Sequence, residues 1–376
     1  MSKVFCYAPW TNIDIDQQGV MMPCCKYLWE TKDVTNVNTH SINEYINSPF
    51  LSDVKNTFNE GKWPKGCERC KIEEQAGVKS KRQLDQSQWA DQYKDYDFDN
   101  PTFVTASIAF GNTCNLKCII CNAYSSSKWQ AEFHKIYGND IKPNHFYKDD
   151  FVDAFIEVAP SLKNIDIVGG EPFLSGVKQQ KQLLQYYIDT GVASDLELHY
   201  TTNATIFPDD SWWLLWSKFK TVRIQLSIDD IEDRFQYIRF PADWNEVLEN
   251  VSLYQSRCFG NIILEVATTV SAFNIFYLDE LLTWTKSIGL STPWLGRLHI
   301  PSRLRPTIWT ASGKQAIIQT LKQSSHAELQ AWVTIMEQND DSDKFDEFKY
   351  SLMRHDNYRK NNFRSTFPEI AAFLNV

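Results

Sequence analysis

The chain has 376 residues, which is enough to bury a large core as one big domain or two modest ones. Its formal net charge of −9 argues against a broad nucleic-acid-binding face, because phosphate binding depends on clustered Lys and Arg. No apolar run approaches the ~20 residues of a membrane span, and the N-terminal MSKVFCYAPW has no signal-peptide core. We therefore expect a soluble, cytoplasmic protein.

The first predicted element is a β-hairpin flanked by cysteines. In CYAPWTNIDIDQQGVMMPCC, NIDI and VMMP have strand character and DQQG forms the turn between them. Cys6 precedes the hairpin, Cys24 follows it, and the pair Cys67 and Cys70 comes later in GCERCKIEEQAG. Four such thiolates can enclose a metal centre completely. In an intracellular chain with nine cysteines, metal binding is a commoner use of thiols than disulfide formation.

Two alternatives stay open for this N-terminal cysteine set. A zinc ribbon is compatible with the same spacing, since CxxC pairs often bind zinc. Cys25 could also replace Cys24 as a ligand. Adjacent cysteines point in different directions, so we expect only one of them to bind. Cys24 is preferred because four residues separate it from Gly19, as the expected spacing requires.

Residues 71–100 are polar and charged, which predicts a linker or a surface helix. From residue 101 onward, strand patterns alternate with amphipathic helical patterns, and beyond residue 306 the pattern predicts helices only. This alternation fits a barrel of βα units at roughly 30 residues per unit, cut short by two units, or alternatively a doubly wound open sheet. The predicted strands are 102–110, 163–168, 195–201, 221–228, 261–270 and 294–300.

Between the first predicted strand and the next helix lies the stretch FGNTCNLKCIICN, with Cys114, Cys118 and Cys121 spaced as CxxxCxxC. Three thiolates on one loop can bind three corners of an iron–sulfur cube and leave the fourth iron without a protein ligand. A structural zinc loop is the alternative, but structural zinc sites use four ligands. The sequence therefore favours a cluster with an open iron.

Polar residues follow the later strands, where the active sites of barrel folds are built. Taken singly, such residues are usually turn or capping residues. Cys258, at the end of a predicted helix, is interpreted as a buried structural thiol. The candidate residues are Gly169, Gly170 and Glu171 in GGEP, Thr202 and Asn203 in TTNA, Ser227 and Asp229 in SIDD, and Arg239 in YIRF.

The three-cysteine loop, with Ile120 before its last cysteine, and the GGEP that follows the second barrel strand resemble the signature motifs of the radical S-adenosylmethionine (radical SAM) enzymes. The resemblance implies a partial (β/α)6 TIM-like barrel, and it decides against the open sheet. It also implies a [4Fe–4S] cluster on Cys114, Cys118 and Cys121 that binds S-adenosylmethionine.

The N-terminal cysteine set resembles the SPASM and twitch modules of the same superfamily. Those modules commonly follow the barrel, whereas this one precedes it, and the later cysteines of a full SPASM module are missing. The resemblance therefore implies one auxiliary iron–sulfur cluster, expected to be a [4Fe–4S] cluster, on Cys6, Cys24, Cys67 and Cys70. The implied organisation is an auxiliary module at 1–75, a linker at 76–100, the barrel at 101–306 and a helical C-terminal extension at 307–376.

The resemblance also assigns roles around S-adenosylmethionine. Glu171 would face its amino group, Ser227 and Asp229 would bind the ribose or the methionyl carboxylate, and Arg239 could clamp a carboxylate. Thr202 and Asn203 offer hydroxyl and amide groups. Gly169 and Gly170 would permit close backbone approach to a ligand.

The implied activity is reductive cleavage of S-adenosylmethionine to a 5′-deoxyadenosyl radical, which abstracts a hydrogen atom from substrate. A peptide or protein substrate is expected, because SID followed by YIR resembles peptide-modifying members, and the reaction would be oxidation, epimerisation or crosslinking. A flavodoxin or ferredoxin is the expected electron donor. The alternatives are an enzyme that oxidises or rearranges a small metabolite, and a zinc-binding interaction protein without catalysis.

Overall fold

The computed structural model describes residues 4–28, 35–75, 77, 79–138 and 150–374. Within these residues the strands form one sheet in the order β2-β1-β3-β4-β5-β6-β7-β8. The strands are β1 Asn12–Ile15, β2 Met21–Met22, β3 Thr105–Ala109, β4 Asn164–Val168, β5 Glu197–Thr202, β6 Thr221–Ser227, β7 Ile262–Val270 and β8 Trp294–Arg297.

The helices lie between the barrel strands and in blocks before and after them. The α-helices are α1 Ala8–Thr11, α2 Ile42–Ile46, α3 Pro49–Asn59, α4 Glu68–Gln75, α5 Lys81–Gln88, α6 Ala90–Lys94, α7 Ser127–Tyr137, α8 Phe151–Val158, α9 Val177–Asp189, α10 Asp210–Trp216, α11 Glu232–Ile238, α12 Trp244–Arg257, α13 Leu278–Ser287, α14 Ala311–Gln323, α15 Leu329–Gln338, α16 Phe345–Arg359, α17 Phe363–Thr366 and α18 Pro368–Ala371, with 3₁₀ turns at Lys65–Cys67, Val192–Asp195, Ser302–Leu304, Ser342–Lys344 and Ala372–Leu374.

The six predicted barrel strands are confirmed as β3 to β8, with ends that differ by a few residues from the predicted ones. They alternate with helices along the chain, and this gives the expected partial (β/α)6 barrel. For residues 71–100 the structure agrees with the helical alternative, because helices α4, α5 and α6 occupy most of this segment. The segment is polar, but it contains a capping box at the start of α5, in which the Ser80 hydroxyl accepts from the Gln83 amide.

The predicted N-terminal hairpin is also confirmed, and it extends the barrel sheet. Strand β1 pairs antiparallel with β2 and parallel with β3, so that Asn12 lies opposite Thr105. Gly19 makes the turn at a φ of +80°, a left-handed conformation that favours glycine. The auxiliary segment therefore supplies an additional strand beside the first strand of the barrel.

The chain divides into two compact units. The first comprises Met1–Thr113, Asn144–Tyr200 and Pro208–Arg223, and the second comprises Cys114–Pro143, Thr201–Phe207 and Ile224–Val376. In the second unit, aromatic residues of the C-terminal helices pack around Phe273, for example Phe348, Phe363 and Phe367. None of the described helices is both long and apolar enough to cross a membrane.

In the first unit, Trp216 is fully buried at the centre of an aromatic cluster. Its ring lies 5.1 Å from that of Tyr200 and 5.9 Å from that of Phe173, and Trp212 and Trp213 of the same helix pack on it. Aromatic rings at these separations add favourable edge-to-face contacts to the hydrophobic burial. Helix α10 is therefore anchored by its inward-facing indoles.

Replacing Trp216 by Ala should lower the free energy of unfolding by about 3–5 kcal/mol, because the change removes a fully buried indole and leaves a cavity. Leu214 on the same helix has 68% of its surface exposed, so Leu214→Ala is the matched control and should change stability by no more than about 0.5 kcal/mol. Urea denaturation followed by circular dichroism measures both. Equal losses in the two variants would contradict this account of the core.

Candidate active site

The loop between β3 and α7 brings the three thiols of the CxxxCxxC motif within electrostatic range of one another. Burial raises the pKa of the Cys118 thiol, and the charges of Cys121 and Cys114 raise it further. Burial likewise raises the pKa of Cys121 to about 11, with an added contribution from Cys114. None of the three cysteines forms a disulfide with a described residue. Thiols with pKa values raised in this way, as in Cys118 and Cys121, stay protonated until a cation compensates the thiolate charges.

Two N–H groups point at the Cys114 sulfur. The backbone amide of Leu116 donates to it at 3.4 Å, and the side-chain amide of Asn203 lies at 3.9 Å. The same Asn203 amide donates to the side-chain oxygen of Asn115 at 2.9 Å. Donors to a ligating sulfur tune the redox potential of iron–sulfur clusters. The structure thus places Asn203 on a cluster cysteine, a role that we did not predict from the sequence.

Arg239 is held beside the cysteine loop by backbone bonds on either side of it. The amide of Lys117 donates to the carbonyl of Phe240 at 2.6 Å, and that of Ile119 donates to the carbonyl of Ile238 at 2.8 Å. The Arg239 charge lowers the pKa of Cys118, against the larger effect of burial. A buried guanidinium therefore faces thiols that would become anionic on binding iron.

Asp229 fixes this guanidinium. The Arg239 Nε lies 2.8 Å from an Asp229 carboxylate oxygen, and both side chains are buried. The other Asp229 oxygen accepts from the Thr269 amide at 2.7 Å, and the Asp229 carbonyl accepts from Asn274 at 2.6 Å. The structure brings Asp229 and Arg239 together, whereas contacts of either with S-adenosylmethionine stay predictions.

In the first unit, the GGEP segment packs against the residues that precede Cys114. A Cβ on Gly170 would lie 2.3 Å from the carbonyl oxygen of Thr113, and a Cβ on Gly169 would lie 2.9 Å from that of Gly111. The Glu171 amide donates to the Thr113 carbonyl at 2.8 Å, and the Glu171 side chain is fully buried. These glycines therefore allow a close backbone approach within the chain, and their contact with a ligand, like that of Glu171, stays a prediction.

The remaining predicted residues lie at strand ends. Thr202, at the end of β5, is buried, and its hydroxyl accepts from the Ala204 amide at 3.3 Å. Ser227 ends β6 and is half-buried. Cys258 follows α12, and burial raises its pKa to about 12. Contacts of Thr202 and Ser227 with S-adenosylmethionine stay predictions.

A buried ion pair in the second unit stabilises the start of the cysteine loop. Glu132 of α7 lies 2.7 Å from the Arg359 Nε at the end of α16, and the two side chains are 3% and 1% exposed. The same guanidinium donates to the Lys117 carbonyl at 2.7 Å, and the Lys117 ammonium contacts Glu132. A residue of the C-terminal extension thus binds the loop between Cys114 and Cys118.

The N-terminal cysteines form a second group of mutually interacting thiols in the first unit. Burial raises the pKa of Cys6 to about 12, with a contribution from Cys70. Burial also raises the pKa of Cys67, to which Cys6 and Cys70 contribute. The pKa of Cys24 is likewise raised by burial, and Cys25, Cys6 and Cys67 raise it further. The predicted four cysteines are therefore neighbours.

Helix α5 supplies the polar partners of this second group. Arg82 binds Glu74 through two nitrogens, at 2.9 and 2.6 Å, and donates to the carbonyl of Phe5 at 2.8 Å. Its charge lowers the pKa values of Cys6 and Cys67 against the effect of burial. We did not predict Arg82 from the sequence, although the capping box at Ser80 marks the helix that carries it.

The neighbours of Cys25 differ from those of Cys24. Burial raises the pKa of Cys25 to about 11, and its charged neighbours are Lys81, Asp14, Asp166 and Lys26. Cys25 lies next to Cys24, but Cys6 and Cys67 act on the pKa of Cys24 and are not among the main influences on that of Cys25. This difference supports Cys24 as the fourth ligand.

The thiol groups fit iron–sulfur clusters by their chemistry. Among the described residues, no three His, Cys, Asp or Glu side chains are grouped as they would be around a single metal ion. A cubane does not need such a grouping, because each thiolate binds a different iron atom. The three neighbouring thiols of the loop and the four thiols of the N-terminal cysteine set therefore suit two clusters.

Comparison with protein families assigns both regions. Residues 108–269 match the model of the Radical SAM superfamily, and residues 6–71 match that of the SPASM iron–sulfur cluster-binding domain. The chain thus carries a radical SAM domain preceded by an iron–sulfur cluster-binding domain. The first binds a [4Fe–4S] cluster and S-adenosylmethionine, and the second binds an auxiliary iron–sulfur cluster.

Solved structures show a weaker likeness. The chain is 17% identical to native anSMEcpe with bound AdoMet, over 52% of each chain, with a TM-score of 0.41. For native anSMEcpe with bound AdoMet and Cp18Cys peptide, the identity is 14% over 59% of each chain, with a TM-score of 0.43. For SuiB of Streptococcus suis, it is 13% over 78% of this chain and 61% of that chain, with a TM-score of 0.33. The chain thus spans little more than half the length of anSMEcpe, and no curated protein matches it.

Iron content should distinguish the two adjacent cysteines. In anaerobically reconstituted protein, Cys24→Ala should remove about half the iron, because it deprives one of two clusters of a ligand. Cys25→Ala, the matched control, should retain all of it. Iron and acid-labile sulfide analysis measures this, and loss of iron in the Cys25 variant with retention in the Cys24 variant would reverse the assignment.

The charge of Arg239 should appear in the potential of the nearby cluster. Arg239→Gln should shift the reduction potential to a more negative value, since a cation that favours the added electron is lost. Asp229→Asn combined with Arg239→Gln removes both charges and should shift the potential less. Redox titration followed by electron paramagnetic resonance measures both variants, and equal shifts would contradict a role for the net charge.

Proposed function

We propose that this protein reductively cleaves S-adenosylmethionine and uses the resulting radical to modify a peptide or protein. The observation that carries the proposal is the loop with Cys114, Cys118 and Cys121, whose three thiols are neighbours and lie in the region that matches the radical SAM model. Three protein ligands leave one iron of a [4Fe–4S] cluster open. When bound, the cluster and S-adenosylmethionine supply the electron and the 5′-deoxyadenosyl radical for hydrogen abstraction.

The chain's own residues hold this site. Leu116 and Asn203 direct N–H groups at the Cys114 sulfur, and Arg239 places a positive charge near Cys118. These contacts favour thiolates that would otherwise be costly to bury. Glu171 is fully buried beside the loop's first residues and is our candidate for the amino group of S-adenosylmethionine.

A peptide substrate is the finer part of the proposal. Two features support it, namely the SPASM-type domain at residues 6–71 and the SID and YIR segments that resemble those of peptide-modifying members. In the structure these segments carry Asp229 and Arg239, which contact each other. The auxiliary cluster, with four protein ligands, is suited to accept an electron from the substrate radical or to stabilise its module.

Cys118→Ala should abolish formation of 5′-deoxyadenosine from S-adenosylmethionine under dithionite reduction, because the cluster with the open iron is lost. Cys67→Ala is the matched control in the other set, and it should retain this cleavage while losing substrate product if the auxiliary cluster transfers electrons. Liquid chromatography of the anaerobic reaction measures both. Unchanged cleavage in Cys118→Ala would refute the assignment of the open cluster.

The substrate class can be tested by isotope transfer. A candidate precursor peptide with deuterated side chains should transfer deuterium to 5′-deoxyadenosine. Mass spectrometry detects this transfer as a gain of about one mass unit in 5′-deoxyadenosine. Transfer from a deuterated small metabolite, with none from any peptide, would show that the protein acts on metabolites instead.

A further inference from the structure

A row of polar side chains crosses four neighbouring parallel strands of the first unit. Asp14 of β1 lies opposite Ser107 of β3, Ser107 opposite Asp166 of β4, and Asp166 opposite His199 of β5. Side chains alternate between the faces of a sheet, so these four share one face. We call them the polar row, and none of them belongs to either cysteine set.

The polar row contains groups that the protein itself leaves incompletely paired. Asp14 is 4% exposed and has the Ser107 hydroxyl as a hydrogen-bond partner, but it makes no ion pair within the described chain. His199 has its Nδ1 at 3.3 Å from an Asp166 oxygen, while its buried Nε2 has no hydrogen-bond partner among the described residues. Buried polar groups are normally satisfied, so these atoms are suited to a ligand.

The row is also accessible from one end. The side chains of Asp166 and His199 remain 31% and 26% exposed, whereas Asp14 is almost fully covered. Desolvation is nevertheless the largest influence on the ionisation of Asp166, and its hydrogen bond to His199 is what holds its pKa below the usual value. Asp166 and His199 are thus the members of the polar row that contact solvent, and a ligand would approach the row from this end.

Charged groups of both signs surround the polar row. Asp166 and nearby Asp16 contribute carboxylates, and Lys81, which acts on Asp14, Asp166 and the neighbouring Cys25, is held by Asp85 at 2.8 Å. Burial raises the pKa of Asp14 to about 8, and the charges of Asp16 and Asp166 add to the increase against the opposing effect of Lys81 and Ser107. A cation brought to the polar row would favour the ionised form of Asp14.

We propose that the polar row binds an ammonium or guanidinium group of the substrate, with Asp14 and Asp166 as carboxylate acceptors and His199 Nε2 as a further acceptor. His199 accepts in its neutral form, with its Nδ1–H donated to Asp166. The chemistry matches a lysine or arginine side chain or a free amine. The proposal rests on the proposed function in one respect, since it takes this ligand to be part of the substrate.

Direct binding tests the site without turnover. The probes are Nα-acetyl-lysine methylamide and Nα-acetyl-arginine methylamide, titrated by calorimetry into the anaerobically reconstituted holoprotein, and Nα-acetyl-norleucine methylamide is the neutral control. At least one cationic probe should bind about tenfold or more tightly than the neutral one. Equal binding of all three probes, or binding of none, would overturn the proposal.

Variants locate the binding. Asp14→Asn and Asp166→Asn should each weaken the cationic probe about tenfold or more, since each removes a carboxylate acceptor. Glu197→Gln is the control, because Glu197 lies on the same strand and face as His199 but is already paired with Lys220 at 2.8 Å. Thermal unfolding confirms that each variant is folded. An effect of Glu197→Gln as large as that of Asp14→Asn would contradict the assignment.

Proton release gives a readout that a merely structural role would not change. Near neutral pH, cation binding should release a proton from Asp14, so the binding enthalpy should depend on the ionisation enthalpy of the buffer. This dependence should disappear in Asp14→Asn. A buffer-independent enthalpy in the wild-type protein would show that Asp14 does not change its protonation on binding and would remove it from the site.

The binding result and the proposed function can fail separately. If the cationic probes do not bind but peptides are modified, the polar row is not the amine site and the proposed function stands. If the probes bind through Asp14 and only a small amine transfers deuterium to 5′-deoxyadenosine, the site stands and the peptide substrate is wrong. If Zn²⁺ or Mg²⁺ binds in an Asp14-dependent way and the organic cations do not, the polar row is a metal site and the proposal is wrong.

Discussion

The parallel register of β1, β3, β4 and β5 is the constraint on which the core and the polar face of the first unit both depend. In each strand the side chains alternate, so Ile13 and Ile165 are fully buried on one face while Asp14 and Asp166 lie on the other. A slip of one residue would exchange the faces and bury carboxylates in the apolar core. The pairing of β1 with β3 therefore has a large energetic advantage over its alternatives.

Partly buried thiols in both units are accompanied by an arginine that is itself bound to a carboxylate. Arg82 with Glu74 lies near Cys6, and Arg239 with Asp229 lies near Cys118. A guanidinium alone would be costly to desolvate, and a carboxylate alone would oppose the thiolates. The pair fixes the cation toward the sulfur atoms while keeping the arginine–carboxylate unit neutral. Each unit thus meets the same electrostatic demand by the same arrangement.

Much of the fold and of the cysteine sites was predictable because it depends on local patterns. The strand and helix periods and the two cysteine spacings are contained in short stretches. The pairing of β1 with β3 was not predictable, since Asn12 and Thr105 are 93 residues apart and alternation specifies faces but not neighbours. The sequence did contain one signal of this arrangement. The tetrapeptide NIDI occurs at 12–15 and again at 164–167, and the aspartate of each copy belongs to the polar row.

The roles of individual polar residues were harder to predict. GGEP was recognisable, but its glycines contact residues 111–113, which only the folded chain brings to them. The contact of Asn203 with S-adenosylmethionine stays a prediction, and the position of its amide at a cysteine sulfur and at Asn115 was not predicted. A side chain after a strand can turn in several directions, and the sequence does not specify which neighbour it meets.

The ion pair of Arg359 with Glu132 makes the C-terminal extension part of the cysteine loop's own support. Because Arg359 also binds the Lys117 carbonyl, a chain that ended before α16 would leave Glu132 buried with only Lys117 to balance it and the loop without this tether. The barrel of this protein is consequently not structurally independent of the C-terminal extension. Fusions, truncations or domain exchanges need to keep the sequence through residue 359 together with the cysteine motif.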